Sequence, residues 1–216
     1  MILRSVISEE EYLKHIKPAL MKVFKDCIFS YSGPTEFPFQ DTIESRLFVF
    51  AHTQNSYADN PMFWNALFRA ILDLGDTEIF EIDTLEECCF KYTLGSDQPL
   101  PDIYDSYRAI CSLQGNWGIS FDIDGIGLIG GPTSFIDNIR KGYPEIDQCV
   151  YYLFYDMWSH PIYSVDSGEP VGKGMDWVPK TIIHIYGEKR GKEILEDARK
   201  MNINPYLWGK FDFGQD

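Results

Sequence analysis

The chain contains 216 residues, of which 44% are hydrophobic and 15% aromatic, and this composition excludes intrinsic disorder for most of its length. The net charge of −14 disfavours binding to nucleic acid or to anionic lipid, because like charges repel. No apolar run approaches the roughly 20 residues of a membrane span, and the acidic N-terminal region lacks the pattern of a signal peptide or an anchor.

The cysteine pattern indicates a cytoplasmic protein. Cysteines are odd in number, and none shows the CxxC spacing of a zinc or redox site. We therefore expect reduced, largely buried thiols, with no disulfide framework and no bound metal or cofactor. The cysteine positions are 27, 88, 89, 111 and 149.

The first part of the chain predicts a helix and then a strand. Residues 8 to 30 have the spacing of an amphipathic helix, and Ser8 with Glu11 forms a capping-box pattern at its start. Pro18 lies inside this pattern, so we expect a kink or a division into two short helices. The apolar run within residues 43 to 52 is typical of a strand in the interior of a sheet.

The middle of the chain alternates between helical and extended patterns. Asn60 followed by Pro61 predicts the start of a helix that ends at Gly75. Two short β-type runs follow, at residues 78 to 82 and 88 to 94. Apolar side chains then recur at helical spacing, which predicts a helix over residues 102 to 113.

Alternation and turn chemistry predict a β-hairpin across residues 117 to 130. Apolar side chains occupy every second position of its first strand, which predicts one buried face and one wet face. Asp124 and Gly125 suit a two-residue type I′ turn, and such a turn pairs Phe121 with Leu128.

A helix over residues 132 to 142 should follow the hairpin, with Pro132 in its first turn. The backbone N–H groups after Gly130 and Gly131 could bind an anion there. We favour a tight turn in a close-packed corner, because no Lys follows as it would in a P-loop.

The last third of the chain predicts helices around one irregular loop. Residues 144 to 158 combine a helical apolar stripe with extra aromatic rings, which are either buried or presented to a partner. Residues 164 to 177 form the most loop-like stretch. Residues 179 to 186 suit a strand, although Pro179 also suits the first turn of a helix, and residues 187 to 202 contain a helix.

Strands and helices are mixed without a regular β-α-β alternation. The sequence therefore predicts an α+β fold with a mainly antiparallel sheet, the hairpin at 117–130 and helices packed around it. No linker-like stretch divides the chain, so we expect one domain over residues 1–216.

The negative charge is concentrated between Asp73 and Asp105. This segment holds ten acidic residues against Lys91 alone, a net charge of −9. Such a surface would attract a basic protein, and the alternative is that the charge only aids solubility. The residues predicted to bind a partner are Asp76, Glu78, Glu81, Asp83, Glu86, Glu87, Asp97, Tyr155 and Trp158.

The pattern WGISFDIDGIGLIGGPTSFIDNIRKGYP resembles a segment of small acidic bacterial proteins of uncharacterised function. Some of these proteins resemble immunity proteins of contact-dependent or polymorphic toxin systems, which neutralise a cognate toxin by binding it. The resemblance covers about 28 residues of 216 and implies no catalytic residues. It implies an inhibitor that occludes a basic partner such as a toxin.

The alternative function is a small hydrolase or transferase. No established catalytic motif such as GxSxG, HExxH or a P-loop occurs in the chain. An active site would then have to assemble in space, around the loop at residues 164 to 177. Its candidate residues are His160, Asp156 and His184.

Overall fold

The computed structural model describes residues 4–25, 39–50, 61–83, 88–94, 108–121, 126–148 and 177–200. The chain divides into two compact units, Met1–Asp147 and Gln148–Asp216. The single domain expected from the sequence stays a prediction.

The first unit contains an antiparallel sheet and helices, which confirms the α+β prediction. The strands follow the spatial order β1-β4-β3-β5-β6-β7-β2, and every neighbouring pair is antiparallel. The strands are β1 Arg4–Val6, β2 Ser45–Phe50, β3 Glu78–Asp83, β4 Cys88–Thr93, β5 Arg108–Cys111, β6 Gly118–Phe121 and β7 Ile126–Gly131. The described helical segments up to the second unit are α1 Glu9–Glu11, a π-helical turn Tyr12–Ile16, α2 Lys17–Val23, α3 Pro61–Asp73, α4 Thr133–Gly142 and a 3-10 turn Pro144–Gln148, whose last residue begins the second unit.

One side of the sheet, the α2 face, is covered by the N-terminal helices. Its strand residues Phe80, Ile82, Cys89, Ala109 and Cys111 join one apolar cluster with α2. These positions alternate along each strand, so the registers place them on the same side of the sheet.

The opposite side, the α4 face, is covered by helix α4. The rings of Trp117 and Phe135 lie 5.4 Å apart, and both side chains are fully buried. Helix α3 packs on α4 at Gly142, where an added Cβ would lie 2.8 Å from the Cβ of Ala66. Helices therefore pack on both faces of the sheet, and strand β3 is buried on both sides.

The hairpin prediction is correct in its strands and wrong in its register. Phe121 pairs with Gly127, and Ser120 pairs with Leu128, one residue away from the register that a two-residue turn would set. Leu128 thereby packs into the cluster on the α2 face. The expected wet face of β6 is partly covered, because Gly118 is buried against the ring of Phe24 and Ser120 is half-buried. Packing on both faces decides the register, and the predicted turn residues lie outside the described part of the chain.

Several local signals are confirmed near the N-terminus and in α3. The Glu11 N–H donates to Ser8 Oγ at 3.2 Å, as the capping pattern predicts. Near Pro18, where the sequence predicts an interruption, the helix contains the π-helical turn Tyr12–Ile16, and the Lys17 N–H donates to the Tyr12 carbonyl. A widened turn accommodates a ring that would otherwise clash with the carbonyl four residues earlier. Helix α3 begins at Pro61 and is followed by Gly75 at φ 86°.

Two further predictions are wrong, and a third holds only in part. Residues 108–111 form strand β5 instead of the end of a helix, because β3 and β6 pair with them on both sides. The predicted strand at 43–52 is present as β2, and the adjacent side chains of Leu47 and Phe48 are both buried, but β2 lies at the edge of the described strand order. In the second unit, the strand predicted at 179–186 belongs to α5, Trp177–Lys200, which is interrupted at Gly187 with φ 77°. The helical alternative for Pro179 is the one observed.

Candidate functional site

The acidic side chains of β3 lie on opposite faces of the sheet, because successive residues of a strand alternate between its two faces. Even-numbered positions of this strand point to the α2 face, and odd-numbered positions point to the α4 face. Glu78 is half-buried on the first side and forms an ion pair with Lys91 at 3.3 Å. Glu81 and Asp83 share the second side and are 0% and 4% exposed.

Glu81 and Asp83 belong to a charged cluster that also contains Tyr92 and Arg108. The Tyr92 hydroxyl and the Arg108 guanidinium both donate hydrogen bonds to the Glu81 carboxylate. Arg108 also lies 3.7 Å from an Asp83 carboxylate oxygen. The strand register explains this convergence. Arg108 lies directly opposite Asp83, and Glu81 is the next residue of β3 on the same face.

The charged groups of this cluster find partners within the cluster. One guanidinium faces two carboxylates, and a buried carboxylate is tolerated only when cations and hydrogen-bond donors surround it. Its members come from three neighbouring strands, so the cluster ties β4, β3 and β5 together on the α4 face. This geometry indicates that the charged cluster helps to determine how these three strands pair.

Asp76 is a further interior carboxylate. It is 8% exposed and accepts a 2.8 Å hydrogen bond from the indole N–H of Trp117. Burial raises the pKa of Asp76, and the hydrogen bond from Trp117 acts in the opposite direction.

The structure thus places three of the predicted partner-binding residues inside the protein, namely Asp76, Glu81 and Asp83. A carboxylate that is buried and engaged with its own chain cannot meet a partner's cation without leaving those contacts. Glu78 alone of the described set reaches solvent. The other predicted residues lie outside the described residues, namely Glu86, Glu87, Asp97, Tyr155 and Trp158.

The interior groups account for little of the total charge. Asp76, Glu81, Asp83 and Arg108 together carry a formal −2 of the net −14, so −12 belongs to the rest of the chain. The negative character of the protein therefore does not depend on the buried carboxylates.

Glu44 occupies the position at which an anion could have bound near Gly130 and Gly131. Its carboxylate accepts hydrogen bonds from the Thr133 N–H at 3.1 Å and from the Thr133 hydroxyl at 3.2 Å. The start of α4 is thus capped from within the chain. Both glycines are close-packed, since an added Cβ would lie within 2.9 Å of the Phe39 or Phe135 ring.

The sheet edge at β1 carries exposed groups that the sequence analysis did not single out. Val6 is 72% exposed, and the three exposed glutamates Glu9–Glu11 follow at the start of the helix. Leu13 is also 50% exposed on the adjoining π-helical turn. The available signal was a short apolar run directly before a capping motif with consecutive acids.

Of the candidate residues of the enzymatic alternative, the structure describes His184 alone. His160, Asp156 and the loop at 164–177 lie outside the described residues, and His184 lies within α5. In the described ranges, no group of three or more His, Cys, Asp or Glu side chains could hold a metal ion.

Three described cysteines, Cys88, Cys89 and Cys111, are free thiols. Burial raises the pKa of Cys89 to about 12 and also raises that of Cys111. Thiols with such raised pKa values hold little of the nucleophilic thiolate at neutral pH.

Comparisons of the chain with protein-family models, curated proteins and solved structures give no match. Among the helices that the structure describes, none is both long and apolar enough to span a membrane. The candidate site therefore rests on the geometry of the described residues alone.

Proposed function

We propose that the protein is an acidic cytoplasmic binding protein of the immunity type, which inhibits a basic partner such as a toxin by occluding it. The observation that supports this function is the net charge of −12 that remains after the interior cluster and Asp76 are set aside. Charge of this sign favours a basic protein and opposes nucleic acid and anionic membranes.

Occlusion needs no catalytic group on the inhibitor. A nuclease or other toxin that binds phosphates presents Lys and Arg, and an acidic inhibitor can neutralise those side chains. Long-range attraction then accelerates encounter, while buried aromatic and apolar contacts slow dissociation. The self-contained cluster around Glu81 would hold the sheet rigid while surface groups make the contact.

The first experiment identifies and tests the partner. The protein is immobilised, lysate of its host is applied at low salt, and bound proteins are eluted with a salt step and identified. A column carrying an unrelated protein of similar size and charge controls for simple ion exchange. The captured basic protein is then expressed alone and together with this chain in a heterologous host.

We expect one basic protein that is absent from the control column, that arrests growth alone and that is tolerated in co-expression. The association rate of the purified pair should fall at least about tenfold between low and physiological salt. A captured protein that is harmless, or an eluate identical to that of the control column, would overturn the proposed function.

A further inference from the structure

The backbone of β1 is open on one side. The Ile7 N–H donates to the Cys89 carbonyl at 2.9 Å, and the register pairs Ser5 with Lys91. In an antiparallel pair the hydrogen-bonded positions alternate, so Ser5 and Ile7 bond to β4. The N–H and C=O groups of Arg4 and Val6 therefore point away from the sheet.

No strand covers these outward groups in the described part of the chain, where β1 ends the strand order. The Val6 side chain is 72% exposed, so its surroundings are open to solvent. An edge with unpaired backbone groups is a template for another strand.

The charge near this edge determines which kind of chain segment can bind to it. Glu9, Glu10 and Glu11 are all exposed and begin three residues after β1 ends, and they outnumber the two cations of the same stretch, Arg4 and Lys14. A second copy of this chain would bring its own net charge of −14 and be repelled. An extended segment that carries Lys or Arg is instead attracted, and its backbone can pair with Arg4 and Val6.

We propose that β1 is a docking edge to which an extended basic segment of the partner adds as a further strand. This proposal rests on the proposed function for the sign of the partner's charge, and it specifies where the partner binds. The backbone of Arg4 and Val6 would supply the pairing, and Glu9–Glu11 would contact the basic side chains. At three residues the edge is too short to promote indiscriminate sheet growth.

The structure provides a matched pair of substitutions. Val6→Pro removes an N–H that faces outward, so the ladder to β4 keeps its hydrogen bonds. Val6→Thr retains both the N–H and the β-branched shape and serves as the control. A melting curve and the slow exchange of the Ile7 amide check that each variant keeps β1 paired.

The probe is a short alternating Val-Lys peptide, compared with the same peptide N-methylated at every residue, which leaves neither edge able to pair, and with a Val-Glu peptide. With the unmodified protein, the Val-Lys peptide should slow exchange of the Val6 amide, and the two comparison peptides should not. Binding of the Val-Lys peptide should weaken at least about tenfold in Val6→Pro and remain unchanged in Val6→Thr. In Glu9→Gln/Glu10→Gln it should weaken and lose part of its salt dependence.

Equal binding of the Val-Lys peptide and its N-methylated form to the unmodified protein would overturn the docking edge, even if Val6→Pro failed to fold. So would the absence of any binding. If the basic partner is captured equally well by a folded Val6→Pro variant, the docking edge fails and the proposed function stands. If the peptide binds as expected but no toxic partner exists, the proposed function fails instead.

Discussion

Replacement of Arg108 by methionine removes the guanidinium that faces Glu81 and Asp83. The Glu81 carboxylate, which is 0% exposed, then keeps the Tyr92 hydroxyl as its hydrogen-bond donor and loses its cation. Methionine retains most of the length of the arginine stem, so the substitution changes charge more than packing. We expect a large loss of stability, because a buried ion is left uncompensated.

The expected size follows from the burial of this pair. Breaking a buried ion pair by removal of one partner costs about 3–5 kcal/mol. A domain is typically stable by only about 5–15 kcal/mol, so this loss would lower the unfolding midpoint substantially. Glu81→Gln in the Arg108→Met background should restore part of the loss, since no buried charge then remains at position 81.

Lys91→Met is the matched control, because it also removes a cation paired with a glutamate of β3. Its partner Glu78 is 40% exposed, and such exposed pairs contribute about 0–1 kcal/mol. Urea unfolding followed by circular dichroism measures both variants at pH 7. Equal losses in the two variants would refute the claim that the Glu81 pair is desolvated and structurally required.

Three further outcomes concern Asp76, the cysteines of β4 and Glu44. The pKa of Asp76 is raised above its ordinary value of 3.8, so its stabilising contribution is complete below that pH and is lost as the pH rises through the folded-state pKa. Asp76→Asn keeps an acceptor for Trp117 and does not titrate, so the original protein should lose stability relative to this variant as the pH rises from below 3.8 through the folded-state pKa of Asp76. Parallel pH curves of the two proteins would contradict this. Under native conditions, alkylation mapped by mass spectrometry should modify half-buried Cys88 at least about 100-fold faster than Cys89, whose pKa is about 12, and equal rates would show that Cys89 is accessible. Glu44→Ala should cost about 0.3–1 kcal/mol in thermal or urea unfolding, because the exposed carboxylate at the start of α4 is lost, and an unchanged midpoint would show that this contact contributes nothing.

Local signals determined several elements of this protein. Pro61 and Gly75 delimit α3 in both sequence and structure, because proline suits a first helical turn and glycine readily adopts positive φ. The two β-type runs around position 85 became β3 and β4, and the hairpin leads directly into α4 as expected. These features depend on residues a few positions apart, and their physics is therefore contained in short windows of sequence.

Tertiary structure decided which acidic residues face solvent and how the strands pair. Glu81 is buried because Arg108, 27 positions later, reaches it across two paired strands. Residues 108–111 became a strand because neighbours on both sides required one, against their helical spacing. The hairpin register likewise followed the packing of Leu128 on the α2 face. Composition alone determined that the chain is acidic, but only the assembled sheet determined which carboxylates are internal, because burial is a property of long-range contacts.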